Sequence, residues 1–284
     1  MQPIITSRSN PRIKHLRTVF AATPRPGTRA AADTLIAIEG EHLITEAIRS
    51  GLHIDTVFLA ADANANLGDR LADEQHVRTR LALPQDAEIL PIAEDVFRYA
   101  LPTESPQGIA ALVRPRHFLP DDLLTGTPLV LVAAGLQDPG NLGTLIRTAE
   151  AFGATGVLTT PGTVSPFNQK ALRASAGSVF RVPTIAAIAG DLDWLRSRGL
   201  RLLAAVATGG IPAHQSGLFE PCAILIGNEG AGLSPELLAL SDERITLPTP
   251  GPVESLNAAI AGSLLLYEAS RQRTAHTQTK ASAI

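Results

Sequence analysis

The stretch CAILIGNEGAGLSPELL, residues 222–238, contains a strand, a glycine-rich loop and the start of a helix. The apolar run from Cys222 to Ile226 predicts a strand that is buried on both faces, as in a parallel sheet. The loop holds three glycines, which let the backbone approach a flat or polar ligand closely, and Ser234 caps the helix that follows. Glu229 lies inside this loop, where it is either solvated or directed at a ligand. The stretch alone leaves both interpretations open.

Near-continuous apolar runs alternate with helical patterns on both sides of this stretch. The runs in the C-terminal half predict the strands LVLVAA, TGVLTT, RLLAAV, CAILIG and RITLP. Strands of this kind are typical of a parallel sheet covered by helices on both faces, so we predict an α/β fold. The N-terminal third predicts a smaller α/β unit. We predict an N-terminal domain over 1–113, a linker rich in proline and charge over 114–128, a second domain over 129–273 and a polar tail over 274–284.

The composition indicates a globular chain. Its 284 residues are 45% hydrophobic and 18% charged, and a chain of this length suits about two domains. Cys222 is the only cysteine, which excludes an intrachain disulfide and a cysteine-based zinc site. No apolar run approaches the roughly 20 residues of a membrane helix, and the first residues lack the apolar stretch of a signal peptide. We therefore expect a cytoplasmic protein with no membrane partner and no metal.

The net charge of −3 argues weakly against binding to nucleic acid, but the basic residues are unevenly distributed. Residues 151–190 contain no acidic side chain and hold Lys170, Arg173 and Arg181. Salt screens each charge beyond about 8 Å, so local fields govern the attraction to phosphate. Charge alone leaves RNA binding and merely solvated basic segments both open. Six basic residues also precede Asp33, the first acidic residue: Arg8, Arg12, Lys14, Arg17, Arg25 and Arg29.

A second glycine-bearing loop, QDPGNLGTLIRTAEAFG at residues 137–153, leads into a predicted helix. Arg147 lies nearly opposite the apolar stripe of that helix, so it points at solvent or at a ligand. A surface arginine on an amphipathic helix is common, and the residue alone does not decide between these. The loop matches neither a Walker loop nor G-x-G-x-x-G. The stripe consists of Leu142, Leu145, Ile146, Ala149 and Phe152.

The third loop lies in RITLPTPGPVESLNAAIAG, residues 244–262, after a strand that ends at Leu247. Three prolines fix the shape of the loop, which reduces the entropy lost when a ligand is bound against it. The next helix is predicted to begin near residues 254–255, with Asn257 in its first turn. The sequence places Leu256, Ile260, Leu264 and Tyr267 along one stripe of that helix.

All three loops follow parallel strands at their carboxyl ends, where ligands bind in open α/β sheets. Taken in their order along the chain, the three loops resemble the three signature motifs of the SpoU-type, or TrmH-like, RNA 2′-O-ribose methyltransferases of the SPOUT class. The motifs are residues 141–143 with Arg147, residues 227–233, and residues 247–248 with 255–257. Residues 165–183 resemble the stretch between the first two motifs. The N-terminal unit resembles an RNA-binding domain with the fold of small RNA-binding ribosomal proteins.

The resemblance implies a trefoil knot in the parallel-sheet domain, S-adenosyl-L-methionine bound in the knot, and active sites formed in a homodimer. By position, the residues that match catalytic or substrate-orienting roles are Asn141, Arg147, Glu229, Ser255 and Asn257. Gly227, Leu247 and Leu256 match cofactor contacts, and we include Ile226 and Gly232 beside them. The expected contacts to substrate RNA are Arg8, Arg12, Lys14, Lys170 and Arg173.

The implied activity is methylation of a ribose 2′-hydroxyl, with large-subunit ribosomal RNA favoured by analogy with the N-terminal RNA-binding domain. Transfer RNA as substrate and methylation of a base stay open. A non-catalytic RNA-binding factor for ribosome assembly is the alternative from another class, and the intact Asn141, Arg147, Glu229 and Asn257 argue against it. A Rossmann-type oxidoreductase is disfavoured because no G-x-G-x-x-G follows the first strand.

Overall fold

The computed structural model describes residues 3–22, 24, 34–62, 67–187 and 190–282. Arg25 and Arg29 lie outside the described residues. The chain forms two compact units, residues 1–117 and 118–284. Among the described residues, no helix is long and apolar enough to cross a membrane. In the same part of the chain, no group of three or more His, Cys, Asp and Glu side chains is placed to hold a metal ion.

The first unit is a four-stranded sheet in the order β1-β4-β2-β3, in which β2 and β3 are parallel and β4 is antiparallel to both its neighbours. Its core contains Ile13 and Leu16 from α1, Phe58 from β2 and Phe97 from α4. The strands confirm the predicted α/β unit. The elements are α1 Pro11–Ala21, β1 Ile36–Glu39, α2 Glu41–Arg49, β2 His53–Ala61, α3 Leu67–Leu81, β3 Glu88–Ala93, α4 Glu94–Ala100 and β4 Ile109–Arg114.

The second unit is a seven-stranded sheet in the order β7-β6-β5-β10-β8-β11-β9, and every strand pair in it is parallel. The central strands β5 and β10 are buried along their whole length, which confirms the predicted parallel sheet. The elements are β5 Leu129–Ala133, α5 Pro139–Ala151, β6 Gly156–Thr159, α6 Gln169–Ser175, β7 Thr184–Ala186, α7 Asp191–Ser197, β8 Arg201–Ala205, β9 Ile211–Pro212, β10 Cys222–Ile226, α8 Pro235–Leu240, β11 Glu243–Thr246 and α9 Ala258–Ser282.

The last helix, α9, differs from its sequence prediction in two respects. It begins at Ala258 rather than near residues 254–255. The predicted apolar stripe is also turned outward, because Ile260, Leu264 and Tyr267 are 53%, 44% and 52% exposed. The physical reason is close packing of α9 on α5: a Cβ at Gly262 would lie 2.5 Å from the Leu145 side chain. The face that contains Gly262 therefore turns inward, and the buried residues of α9 are Ala258, Ala259, Leu265, Leu266 and Ala269.

Arg273 connects the segments predicted as linker and tail to the second unit. Its guanidinium donates hydrogen bonds to the backbone carbonyls of Pro128, Leu218 and Glu220 at 2.9, 3.0 and 2.8 Å. Within 114–128, residues 120–124 form a short 3-10 helix that packs Leu123 into the core of the second unit. Beyond Arg273, α9 continues to Ser282. These two segments therefore have regular structure of their own.

The helices α5 and α6 approach each other closely at Gly143. A Cβ at this position would lie 2.7 Å from the Ala174 Cβ and would also collide with the backbone of α6. Real Cβ contacts are longer than this, so a larger residue would have to push the two helices apart. Gly143 thus fixes the distance between α5, which carries the first loop motif, and the basic helix α6.

We expect Gly143→Ala to lower the free energy of unfolding of the second unit. Overpacking costs about 1–3 kcal/mol, which exceeds the roughly 0.5–1 kcal/mol that alanine gains in a helix. Urea unfolding followed by the fluorescence of Trp194, the only tryptophan and a residue of α7, measures the change. The control is Gly251→Ala, because a Cβ there meets open space. An unchanged midpoint for Gly143→Ala would contradict the packing argument.

Candidate active site

Three loops at the carboxyl edge of the parallel sheet are joined by a row of side-chain hydrogen bonds. Asn141 Nδ2 donates to Glu229 Oε1 at 2.8 Å, and Asn257 Nδ2 donates to Asn141 Oδ1 at 3.1 Å. Asn141 lies in the first turn of α5, which follows β5, whereas Glu229 and Asn257 lie in the loops after β10 and β11. The loops therefore meet at one place, although up to 116 residues separate their side chains along the chain.

Asp138 fixes the first loop by capping α5. Its Oδ1 accepts hydrogen bonds from the backbone amides of Gly140 and Asn141 at 2.6 and 3.0 Å. Lys170 Nζ donates to Asp138 Oδ2 at 2.8 Å. This hydrogen bond from Lys170, with those from the amides, holds the pKa of Asp138 below its ordinary value. Asp138 is therefore ionised at neutral pH, where it satisfies the free amides of the helix start and sets the position of Asn141.

The second loop is closed by Asn228 and two glycines. Asn228 Nδ2 donates to the Gly135 carbonyl at 2.9 Å, while its Oδ1 accepts from the amides of Gly230 and Ala231. The backbones of Asn228 and Gly232 exchange two hydrogen bonds. A Cβ at Gly227 would lie 2.5 Å from the Gly232 carbonyl oxygen, so only glycine fits where the loop folds back on itself.

Glu229 stands at the end of the row of hydrogen bonds and bears a negative charge. Burial alone would raise its pKa, but hydrogen bonds from Asn141 and from the amides of Gln137 and Asp138 outweigh that effect. The net result is a pKa below the ordinary value of 4.5. Glu229 is therefore a carboxylate at neutral pH, and as a pure acceptor it orients the Asn141 amide.

Asn257 precedes α9 instead of lying in its first turn, which corrects the sequence prediction. Its Oδ1 accepts hydrogen bonds from the amides of Ala259 and Ile260 at 2.9 and 3.2 Å, as a helix cap does. The amides of Ala259 and Ile260 at the start of α9 are thus already engaged and are not open to a ligand. Residues 251–257 lie outside the helix, and Ser255 is exposed among them.

A cavity of about 320 Å³ opens between the ends of β8, β10 and β11 and the start of α9. That volume lies within the usual range for small-molecule sites, about 300–1,000 Å³. Its lining includes the carboxylates Glu229 and Glu254, and the described lining contains no lysine, arginine or histidine. Such a lining favours a ligand that carries positive charge. The predicted residues that line the cavity are Ile226, Gly227, Glu229, Gly232, Leu247, Ser255 and Leu256.

Sequence reasoning missed part of this lining. Ala205 ends β8, Val206 and Ala207 follow it, and the Ala207 carbonyl accepts a hydrogen bond from the Thr246 hydroxyl at 3.0 Å. The available signal was the apolar run RLLAAV, because a parallel strand beside β10 must end at the same edge. Glu254 was missed because it was read as the helix start.

The remaining predicted residues lie outside the cavity lining. Arg147 is exposed on α5 and Arg173 is exposed on α6, and neither side chain makes a hydrogen bond or ion pair with a described residue. Lys170 is paired with Asp138, as given above. The three predicted RNA contacts in the first unit are Arg8, Arg12 and Lys14, and all three are exposed.

The chain matches known proteins over nearly its whole length. Residues 128–267 match the SpoU rRNA Methylase family, and residues 10–111 match the MRM3-like substrate binding domain. The chain is 32% identical to the 23S rRNA (guanosine(2553)-2′-O)-methyltransferase RlmP of Bacillus subtilis, over 93% of this chain and 97% of that protein.

Solved structures with the same fold include two with bound cofactor. The SpoU methyltransferase AviRb from Streptomyces viridochromogenes, in complex with AdoMet, is 26% identical with a TM-score of 0.76, over 93% of this chain and 98% of that chain. The AdoMet-bound rRNA methyltransferase from Sinorhizobium meliloti is 27% identical with a TM-score of 0.75, over 94% and 97% of the two chains. An RNA 2′-O ribose methyltransferase is 32% identical with a TM-score of 0.72, over 95% and 99%.

We expect the stability gained from the Glu229 charge to depend on pH. Because the pKa of Glu229 is lowered in the folded protein, its contribution is present above pH 4.5 and is lost as the pH falls through the lowered pKa. The difference in unfolding free energy between wild type and Glu229→Gln is thus largest near neutral pH and shrinks in acid. Urea unfolding of both proteins, followed by Trp194 fluorescence at a series of pH values, measures it. Glu104→Gln, which removes an exposed carboxylate from the other unit, is the control. A difference that stays constant in acid would contradict the assignment.

Proposed function

The chain belongs to the SpoU rRNA methylase family, and on that premise we propose that it transfers a methyl group from S-adenosylmethionine to a ribose 2′-hydroxyl of large-subunit ribosomal RNA. The observation that carries the proposal is the row of hydrogen bonds from Asn257 through Asn141 to Glu229, which brings all three loop motifs to the edge of one cavity. The relative from Bacillus subtilis acts on 23S rRNA. A substrate of this kind is met in the cytoplasm, which is the location we propose.

The cavity fits the proposed cofactor in size and in charge. When bound, S-adenosylmethionine supplies a methyl group on a positively charged sulfonium. Glu229 and Glu254 favour that charge, and the backbone around Gly227, Leu247 and Leu256 offers hydrogen-bonding groups for the rest of the molecule. The knot that the resemblance implies around this cavity stays a proposal.

Arg147 is proposed to act on the acceptor nucleotide. In the transfer, the new bond forms between the ribose oxygen and the methyl carbon, the sulfur keeps the electron pair, and the hydroxyl proton leaves. A guanidinium keeps its proton in proteins, so Arg147 is a poor general base. We assign it instead to clamp the phosphate and to stabilise the developing charge on the oxygen, while water or a neighbouring phosphate takes the proton. Its exposure and lack of a partner among the described residues leave it available for this role.

A second copy of the chain is proposed to complete the site. Ile260, Leu264 and Tyr267 form an exposed apolar face on α9, and the Phe152 ring packs edge-on against Tyr267 at 5.5 Å between centroids. Exposed apolar patches of this kind mark interaction surfaces. The face belongs to the same two helices, α5 and α9, whose amino ends hold Asn141 and Asn257. A homodimer through this face would therefore bring the partner's site close to Arg147.

We expect Arg147→Ala to lower the turnover number by on the order of a hundredfold or more while leaving the dissociation constant for S-adenosylmethionine unchanged. The assay transfers tritiated methyl groups to protein-free 23S rRNA or to transfer RNA, and chromatography of the digested RNA identifies 2′-O-methylnucleosides. Arg198→Ala removes an exposed arginine that directly follows α7 and is the control. Methylated bases or no transfer in the wild type would refute the proposed reaction, whereas normal turnover in the variant would remove Arg147 from it.

We expect Leu264→Glu to convert a dimer into a monomer and to abolish methyl transfer, because it places a charge at the centre of the proposed interface. Sedimentation velocity gives the mass, and Trp194 fluorescence checks that the second unit stays folded. Ile211→Glu provides a matched control, since Ile211 is 42% exposed on β9 at the edge of the same sheet. A monomeric wild type that methylates RNA would contradict the proposed dimer.

A further inference from the structure

Two arginines of the first unit converge on one exposed aromatic ring. The guanidinium carbons of Arg8 and Arg17 lie 4.9 and 4.2 Å from the centroid of the Tyr99 ring. Arg17 also donates a hydrogen bond to the Tyr99 hydroxyl. Tyr99 is 39% exposed, so the cluster lies at the protein surface. Contacts of a guanidinium with an aromatic ring hold each cation in place without neutralising it.

The packing of two helices explains why these side chains meet outside the core. On α1, Ile13 and Leu16 are buried and Arg17 is exposed. On α4, the neighbours of Tyr99 at Phe97 and Ala100 are buried. Both helices belong to the same apolar cluster, so the outward faces of α1 and α4 are side by side. Arg17 and Tyr99 are therefore held at the surface on two packed helices, and Arg8, in the turn before α1, reaches the same ring.

The charge of this cluster is only partly balanced. The two guanidinium carbons lie no farther apart than about 9 Å, because both contact one ring. This is close to the screening length of about 8 Å in physiological salt, so their repulsion is weakened but not removed. The acid closest to Arg8 is Asp95, at 3.8 Å and 70% exposed, whereas Arg17 forms no ion pair with a described residue. Like charges held this close repel each other, and a bound anion relieves that repulsion.

The neighbouring basic residues differ in how available they are. Arg12 is held by Glu88 at 3.2 Å, so its charge is already matched. Lys14, one helical turn before Arg17, is exposed and has no partner among the described residues. Among the described residues of α1 and the turn before it, the basic side chains free to bind an anion are therefore Arg17 and Lys14, together with the weakly paired Arg8.

We propose that Arg8, Arg17 and Tyr99 form a phosphate clamp for the RNA substrate, with Lys14 extending it along α1. Guanidinium groups recognise phosphate through paired hydrogen bonds, and the tyrosine ring orients them beforehand. The inference rests on the proposed function in that RNA is the substrate. It assigns the clamp to binding of the RNA backbone by the first unit, whereas the methyl-transfer site belongs to the second unit, and it sets Arg12 aside as a contact.

The test compares the salt dependence of RNA binding in two double variants. For Arg8→Gln/Arg17→Gln, we expect the dissociation constant for a 23S rRNA transcript to rise by on the order of tenfold. We also expect the slope of the logarithm of the association constant against the logarithm of the salt concentration to become less steep by about 1.4–1.8. The slope counts phosphate contacts, at about 0.7–0.9 each. Arg49→Gln/Arg80→Gln removes the same charge from other helices of this unit and should leave the slope unchanged. Equal slopes for the clamp variant and the wild type would overturn the proposal.

Single substitutions separate the clamp from a merely structural cluster. Asp95→Asn should tighten RNA binding by about two- to fivefold, the size of one exposed charge pair, whereas loss of a structural ion pair would not strengthen binding. Tyr99→Leu should weaken binding because the arginines lose their support, and Tyr99→Phe should retain most of it. Weaker or unchanged binding with Asp95→Asn would contradict the clamp.

Methyl transfer by the same proteins keeps this proposal distinct from the proposed function. We expect Arg8→Gln/Arg17→Gln to raise the KM for the transcript and to leave kcat and S-adenosylmethionine affinity unchanged. Methylation by the wild type together with an unaltered slope overturns the clamp alone. A lowered slope without methylation by the wild type supports the clamp and removes the proposed activity. A wild type that does not bind the transcript overturns the clamp.

Discussion

The candidate site depends on the ordered row of hydrogen bonds that runs from the start of α9 through Asn257 and Asn141 to Glu229. Each asparagine amide both donates and accepts, so it can relay a hydrogen bond, whereas a carboxylate only accepts and must end the row. The other end is fixed by backbone amides of α9, which only donate. The orientation of both asparagines therefore follows from the two ends, and the three loops share one arrangement.

Close approaches at glycine bring those loops within reach of each other. Gly143 sets the distance between α5 and α6, Gly262 sets the distance between α9 and α5, and Gly227 lets the second loop fold back on itself. None of these contacts supplies binding energy to a ligand. The approach at Gly262 keeps α5 and α9 close enough that Asn141 and Asn257 can bond directly. Packing of small residues and hydrogen bonding of polar ones thus act together on the same pair of helices.

The sequence predicts the parallel sheet and the three loops well, because buried strands are apolar throughout and their carboxyl ends must share an edge. The sequence prediction turns the wrong face of α9 inward. It follows Leu264 and Tyr267, which have helical spacing and larger hydrophobic side chains than the small residues that face α5. It also cannot show that Arg12 is matched by Glu88, 76 residues away, or that Tyr99 meets two arginines. Such pairings between distant segments follow from the tertiary structure.

The hydrogen bonds of Arg273 hold α9 to the sheet at a second point. Asn257 fixes the amino end of the helix at the carboxyl edge of the sheet, and Arg273 fixes it again among carbonyls that precede β5 and β10 at the opposite edge. The span between them is about 24 Å at 1.5 Å per residue. A helix fastened at two points this far apart can neither slide nor roll without breaking one set of bonds. The helix is therefore fixed in one orientation on the sheet. A molecule that binds to its exposed face is consequently oriented relative to the sheet.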